Sequence, residues 1–150
     1  MIKAKKSLGQ NFLTDENIIK KILEITDING KEILEVGPGT GNLTFEILKK
    51  NPKKLYLIEK DNELSNQLNE KFKNQITLFN EDILKFNEQS LSKNQITVFG
   101  NLPYNISTEI LCKWIVNLTN ESYWFNELIL MFQKEVADRI IANFNTPAYG

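Results

Sequence analysis

The chain has 150 residues, 41% hydrophobic and 25% charged, the proportions of one soluble globular domain with a sizeable core. A formal charge of −1 gives no global attraction to a polyanion, so any nucleic-acid contact must come from a local concentration of lysine or arginine. A single cysteine, Cys112, and no histidine exclude Ser-His-Asp and Cys-His catalysis, an intramolecular disulfide and a Cys-rich zinc site, so no metal is expected.

Apolar runs alternate with helical patterns from residue 14 to residue 144, which predicts an α/β domain with a mostly parallel sheet and flanking helices. Thr14 is placed to cap a first helix with Asp15 and Glu16 in its first turn and Ile18, Ile19, Ile22, Leu23 and Ile25 as its buried stripe. The first strand is EILEV at 32–36. A second helix carries Leu43, Ile47 and Leu48, and Pro52 closes it before the second strand, KLYLIE at 54–59. Leu64, Leu68 and Phe72 recur every four residues and mark the third helix, followed by a third strand, ITLF at 76–79. The polar stretch 87–95 reads as a loop, and ITVFG at 96–100 is the fourth strand. The fourth helix holds Ile106, Ile110, Leu111, Trp114 and Ile115. The fifth strand is ELILMF at 127–132, and its helix runs over Val136, Ala137, Ile140 and Ile141. The sequence stops at NFNTPAYG with no capping element, where open sheets of this class commonly continue; the expectation is one domain over 1–150, cut before its last strands.

Two lysine clusters offer a local positive charge, Lys3, Lys5 and Lys6 at the start and Lys49, Lys50, Lys53 and Lys54 around Pro52; each reads equally as a solvated face. MIKAKKSLG lacks the apolar stretch of a secretory signal, and no run approaches the roughly 20 apolar residues of a membrane span. A cytoplasmic protein with no membrane partner is expected. No exposed apolar patch is legible, so a monomer is assumed.

EVGPGTG at 35–41 ends the first strand and opens a helix, the place where open α/β sheets bind ligands. Gly37, Gly39 and Gly41 permit a tight turn with positive φ and let a ligand approach bare backbone. The dinucleotide fingerprint wants a glycine where Asn42 stands, and no Gly-Lys-Ser/Thr of a phosphate loop follows. The spacing instead resembles motif I of class I S-adenosylmethionine-dependent methyltransferases, with a Rossmann-like fold. Glu59 ends the second strand about 20 residues later, where a carboxylate can accept from both hydroxyls of a ribose. Past the third strand, Asp82 can accept from an adenine amine and Ile83 can pack on the ring; the resemblance assigns them that role.

FGNLPYNIST at 99–108 carries the acceptor chemistry. The exocyclic amine of adenine is a poor nucleophile because its lone pair is delocalised into the ring. Two acceptors that take its hydrogens pull the nitrogen toward tetrahedral geometry, in line with a methyl donor, and no strong base is needed. Asn101 offers a side-chain oxygen and Leu102 a backbone carbonyl, Pro103 fixes the turn, and Tyr104 supplies a stacking face. An ordinary strand-to-helix turn with Tyr104 in the core is the plainer alternative.

GQNFLTD at 9–15, EVGPGTGNLT at 35–44, NLPYNIST at 101–108 and FQKEVADRI at 132–140 together resemble the ribosomal RNA adenine N6,N6-dimethyltransferase family, and its housekeeping branch more than the 23S rRNA methylases of macrolide resistance. The resemblance implies dimethylation of two adjacent adenosines in a hairpin loop near the 3′ end of 16S rRNA, in the small ribosomal subunit or its precursor. It also implies cofactor contacts from Asn11, Leu13, Gly37, Glu59, Asp82 and Asn101. GQNFL reads either as a lid over the cofactor anchored by Phe12 or as a helix lead-in. Family members continue past AYG with further strands and a small helical domain, so the 150-residue chain is expected to carry the cofactor site without all of the enzyme. Competing readings are an amine methyltransferase acting on DNA adenine or a protein amide, a non-catalytic ribosome-assembly or RNA-binding module, and a nicotinamide-dependent oxidoreductase, which Asn42 disfavours.

Overall fold

The structure is a computed structural model that describes residues 9–116, 118 and 123–149; the lysine cluster at 3–6 lies outside the described residues. Asp15, rather than Thr14, caps α1 (Glu16–Leu23), its carboxylate accepting from the amides of Asn17 at 2.8 Å and Ile18 at 3.2 Å. The helix buries Ile19, Ile22 and Leu23, while Ile18 turns off that stripe and Ile25 falls past the helix end, leaving both exposed.

β1 (Glu32–Val36), α2 (Asn42–Lys49), β2 (Lys54–Ile58), α3 (Asn62–Phe72) and β3 (Thr77–Phe79) follow in the expected order. Asp61 caps α3 through the amides of Glu63 and Leu64, and the predicted Leu64, Leu68 and Phe72 are its buried face. The polar stretch 87–95 is a loop with one 3-10 turn, Glu88–Ser90, whose Glu88 is buried. β4 (Ile96–Asn101), α4 (Ser107–Val116), β5 (Phe125–Met131) and α5 (Lys134–Ile140) complete the described chain. β5 begins two residues earlier than expected because Phe125 pairs with Ile96 across an irregularity between Ile96 and Thr97.

All five strands are parallel, in the order β3-β2-β1-β4-β5. Alternate residues feed two cores, as strand geometry demands. Ile33, Leu55, Leu57 and Phe99 pack with Ile19 and Ile22 of α1 and Leu43 and Ile47 of α2 on one face. Leu34, Val36, Tyr56, Ile58, Ile96 and Val98 pack with Ile110 and Trp114 of α4 on the other. The chain runs outward from β1 to β3 and then crosses back to β4. The winding order of the strands therefore reverses between β1 and β4, which opens a crevice at their C-terminal ends. Among the described residues no helix is long and apolar enough to cross a membrane.

Gly41 closes the turn after β1 and is the N-cap of α2, at φ +78°. A Cβ there would lie 2.7 Å from the Phe72 ring and 2.8 Å from Leu68. Gly41→Ala should therefore lose about 2–4 kcal/mol, from left-handed strain plus overpacking against α3. A urea-unfolding midpoint equal to that of the unsubstituted protein would refute this packing role.

Candidate active site

The crevice holds about 1040 Å³ of space, its open mouth included. Its floor is the loop after β1. The Gly37 amide donates to the Ile58 carbonyl at 3.0 Å, carrying the β1–β2 pairing into the loop, and the Gly39 amide donates to Glu59 Oε2 at 3.2 Å. Gly37, at φ +68°, and Gly39, at φ +57°, both adopt the left-handed backbone that their spacing predicts. At Gly39 the bare backbone is also a matter of space, because a Cβ would sit 3.0 Å from the Phe12 ring above it.

Each strand end in this floor brings an acid, and the three acids differ. Glu35, buried at the end of β1, accepts from Thr44 Oγ1 at 2.7 Å. Burial pushes its carboxyl up to about 8; the Thr44 hydroxyl opposes that shift and the nearby Glu59 charge adds to it. Glu59, just past β2, is 7% exposed and accepts from the Asp61 amide at 3.0 Å as well as from Gly39. Burial also raises its pKa, against the pull of those two amides. Asp82, past β3, accepts from Lys60 Nζ at 2.8 Å and from the Leu84 amide at 3.0 Å. The Lys60 ammonium holds it below the usual carboxylate range. Beside it the buried Ile83 offers an apolar wall.

Residues 9–13 cross the mouth of the crevice as a strap, tied along its length. Gln10 Nε2 donates to Asp61 Oδ2 at 3.2 Å, and Asn42 Nδ2 donates to the Leu13 carbonyl at 2.9 Å. Phe12 covers Gly39. Asn11 reaches the NLPY turn twice: its Nδ2 donates to Tyr104 Oη at 2.7 Å, and its carbonyl accepts from Asn101 Nδ2 at 2.6 Å. The second bond orients the Asn101 amide. With Nδ2 committed to the strap, Oδ1 is the end left to accept from a ligand.

The predicted residues Asn11, Leu13, Gly37, Gly39, Glu59 and Asp82 thus line one cavity, joined by Ile83, Asn101 and Pro103. Three others stand apart from it. Gly41 packs under α3, the Leu102 side chain is buried in the α4-side core so that only its backbone can serve the site, and Tyr104 is 39% exposed with its hydroxyl on Asn11. Gln10, Asn42 and Asp61 belong to the strap and its anchors, and Asn105 lines the crevice beside Gly9; none of the four is a sequence-predicted site residue. Asp61 had a signal, an acid three residues before the Leu64, Leu68, Phe72 pattern begins, where a helix N-cap is expected; Asn42 had none, since its role is a long-range bond to Leu13.

The sheet order, the glycine turn after β1 and the acids at successive strand ends define a Rossmann-like class I methyltransferase fold. The superpositions agree. A dimethyladenosine transferase from Plasmodium falciparum matches with a TM-score of 0.78 and 30% identity over 93% of this chain and 50% of its own. A 23S rRNA methyltransferase matches at 0.72 and 27% identity, over 86% of this chain and 50% of its own. A family model described as ribosomal RNA adenine dimethylase matches residues 1–150, and the chain belongs to that family. Its curated relatives include the Ribosomal RNA small subunit methyltransferase A of Pelagibacter ubique, 61% identical over 149 residues, 99% of this chain and 56% of the relative. The chain spans about half the length of the curated relatives it matches.

Glu35 gives a pH signature with a definite sign. Its folded pKa of about 8 lies above the ordinary 4.5, so the folded state binds an extra proton between those values. Stability then falls as pH rises from about 4.5 to about 8 and levels off above. Glu35→Gln keeps an acceptor for Thr44 and removes the titration. Its stability advantage should grow from near zero at pH 5 to on the order of a few kcal/mol at pH 8, read from urea midpoints across that range. An advantage that does not change with pH would disprove the assignment.

Proposed function

We propose that the crevice binds S-adenosylmethionine and that the protein transfers methyl groups to N6 of two adjacent adenosines in a hairpin loop near the 3′ end of 16S rRNA, in the small ribosomal subunit or its precursor. The donor set fits the cofactor. Glu59 matches a pair of ribose hydroxyls, Asp82 an exocyclic amine, Ile83 the face of a flat ring, and the bare backbone at Gly37 and Gly39 a close-lying chain. Glu35, neutral near pH 7 with its pKa pushed up to about 8, and Glu59, whose pKa burial also raises, would both ionise more readily beside a cation. When bound, S-adenosylmethionine supplies an electrophilic methyl carbon on a sulfonium.

The observation that carries the reading is the amide of Asn101. It stands at the end of β4, beside the Gly37 loop, where a Cβ on Gly37 would come within 3.4 Å of the Asn101 carbonyl. Held by the Asn11 carbonyl through Nδ2, it presents Oδ1 to accept one hydrogen of an incoming amine. The Leu102 carbonyl, on the turn fixed by Pro103, is the second acceptor. Both bonds localise the N6 lone pair, and the nitrogen is held for in-line attack. A methylated N6 would be cationic, and its surplus proton would leave to water. No side chain has to act as a strong base, which suits a chain without histidine. Strap residues Asn11 and Phe12 shield the crevice while Tyr104, exposed beside it, offers a face for the base.

Calorimetry on the full chain should find saturable binding of S-adenosylmethionine and none of NAD, with affinity at least about tenfold weaker in Glu59→Ala. With small-subunit particles as substrate, Asn101→Ala should cut methyl transfer by about 100-fold or more while changing cofactor affinity by less than about tenfold. Transfer that survives Asn101→Ala unchanged removes the role given to that amide. Particle binding with no transfer by the unsubstituted protein would favour an assembly module.

A further inference from the structure

The loop that carries Asp82 and Ile83 is anchored from an unexpected direction. It turns back on itself, with the amides of Lys85 and Phe86 donating to the Asp82 carbonyl at 2.9 and 3.0 Å, and this leaves the carbonyls of Ile83 and Phe86 pointing inward. Lys113, on α4, takes both, its Nζ donating at 2.6 Å to each. The third donor goes to Glu88 Oε1 at 2.7 Å, and the same oxygen accepts from Trp114 Nε1 at 2.6 Å. Lys113 and Glu88 are largely removed from solvent, 19% and 6% exposed at their side chains. A lysine ammonium with all three donors spent in the interior is uncommon, because desolvation is offset only when every donor and the charge are matched.

We infer that Lys113 is a positioning residue for the adenosine side of the crevice: from α4 it fixes the 82–88 loop and so sets where Asp82 and Ile83 meet the ligand. The inference rests on the reading of the crevice as an S-adenosylmethionine site. Its consequence is a link between the two halves of the chemistry. α4 begins directly after the NLPY turn, with the Ile106 amide on the Pro103 carbonyl at 3.1 Å, and Ile106 itself lines the crevice. Seven residues further along the same helix, roughly 10 Å, Lys113 holds the loop that receives the adenine. One rigid helix therefore sets the distance between the acceptor turn and the adenosine wall.

Three variants of the full chain test this. Lys113→Met removes the three donors but also strands the buried Glu88 charge, so Lys113→Met/Glu88→Gln serves beside it to restore neutrality. Lys113→Arg keeps the charge, but its planar fork does not bring three donors to one point. In the double variant and in Lys113→Arg the expected result is a thermal midpoint close to that of the parent. The S-adenosylmethionine Kd and KM should rise by about tenfold, and kcat at saturating cofactor should stay within about twofold, since Asn101 and Pro103 are untouched. Hydrogen exchange of the amides at 83–88, followed without ligand, should speed up in all three variants. The inference falls if exchange in that loop is unchanged, or if the double variant recovers parental affinity, which would make Lys113 a mere counter-charge. Faster loop exchange in a protein whose parent does not bind S-adenosylmethionine would instead sink the cofactor reading and leave the anchoring of the loop standing.

Discussion

The register of β1 against β4 is the constraint on which the site depends. Val36 lies beside Gly100 and Glu35 beside Phe99, so the two strands leave the sheet level with one another. Gly37 and Asn101 then emerge as neighbours, one on the glycine loop and the other at the head of the NLPY turn. Sliding this pairing by one residue would turn Leu34 and Val36 out of the α4-side core and Ile33 out of the other, at roughly 2 kcal/mol for each buried side chain lost. The hydrophobic pattern of two buried strands therefore specifies, to within a residue, the spacing between the glycine loop and the Asn101 amide.

The electrostatics of the crevice run against stability in the protein alone. Glu35 and Glu59 are both buried, and burial raises the pKa of each. Removing two carboxylates from water into one apolar floor disfavours charging both, and a hydroxyl from Thr44 or amides from Gly39 and Asp61 compensate only in part. A structural turn has no use for such a pair. Under the proposed reading a ligand with a positive centre does, because it would supply the missing counter-charge where water is excluded.

Most of the fold was legible because it follows from periodicity. EILEV, KLYLI and ITVFG are apolar on both faces, as central parallel strands must be, and Leu64, Leu68 and Phe72 give a helix face directly. The errors lie where local pattern competes with a single hydrogen bond. Thr14 and Asp15 are both good caps, and the carboxylate of Asp15 won by reaching two amides. Ile18 is apolar but at the wrong helical angle, and Ile25 lies past the end of the helix. The floor of the site was legible for a similar reason: glycines and acids at strand ends carry a local signature. Its anchors were not. Asn42 on Leu13, Asn11 on Tyr104 and Lys113 on Ile83 join residues 29, 93 and 30 positions apart, and no window of sequence contains both partners.

Asn42 on Leu13, Lys113 on Ile83 and Asn101 on Asn11 share one design: a polar side chain on a rigid element meets the backbone of a loop that has no regular pairing of its own. Asn42 stands at the start of α2 and holds the strap at Leu13, while Asn101 at the end of β4 holds it at Asn11. Lys113 in the second turn of α4 holds the 82–88 loop. A loop left to itself samples many conformations at a cost of about 1–2 kcal/mol per residue to order, and a site built from such loops would spend ligand binding energy on ordering them. Here the sheet and helices have already met that cost. On the proposed reading, the crevice can therefore work with weak groups, the neutral Asn101 amide and the Leu102 backbone carbonyl, where a looser site would call for a strong base.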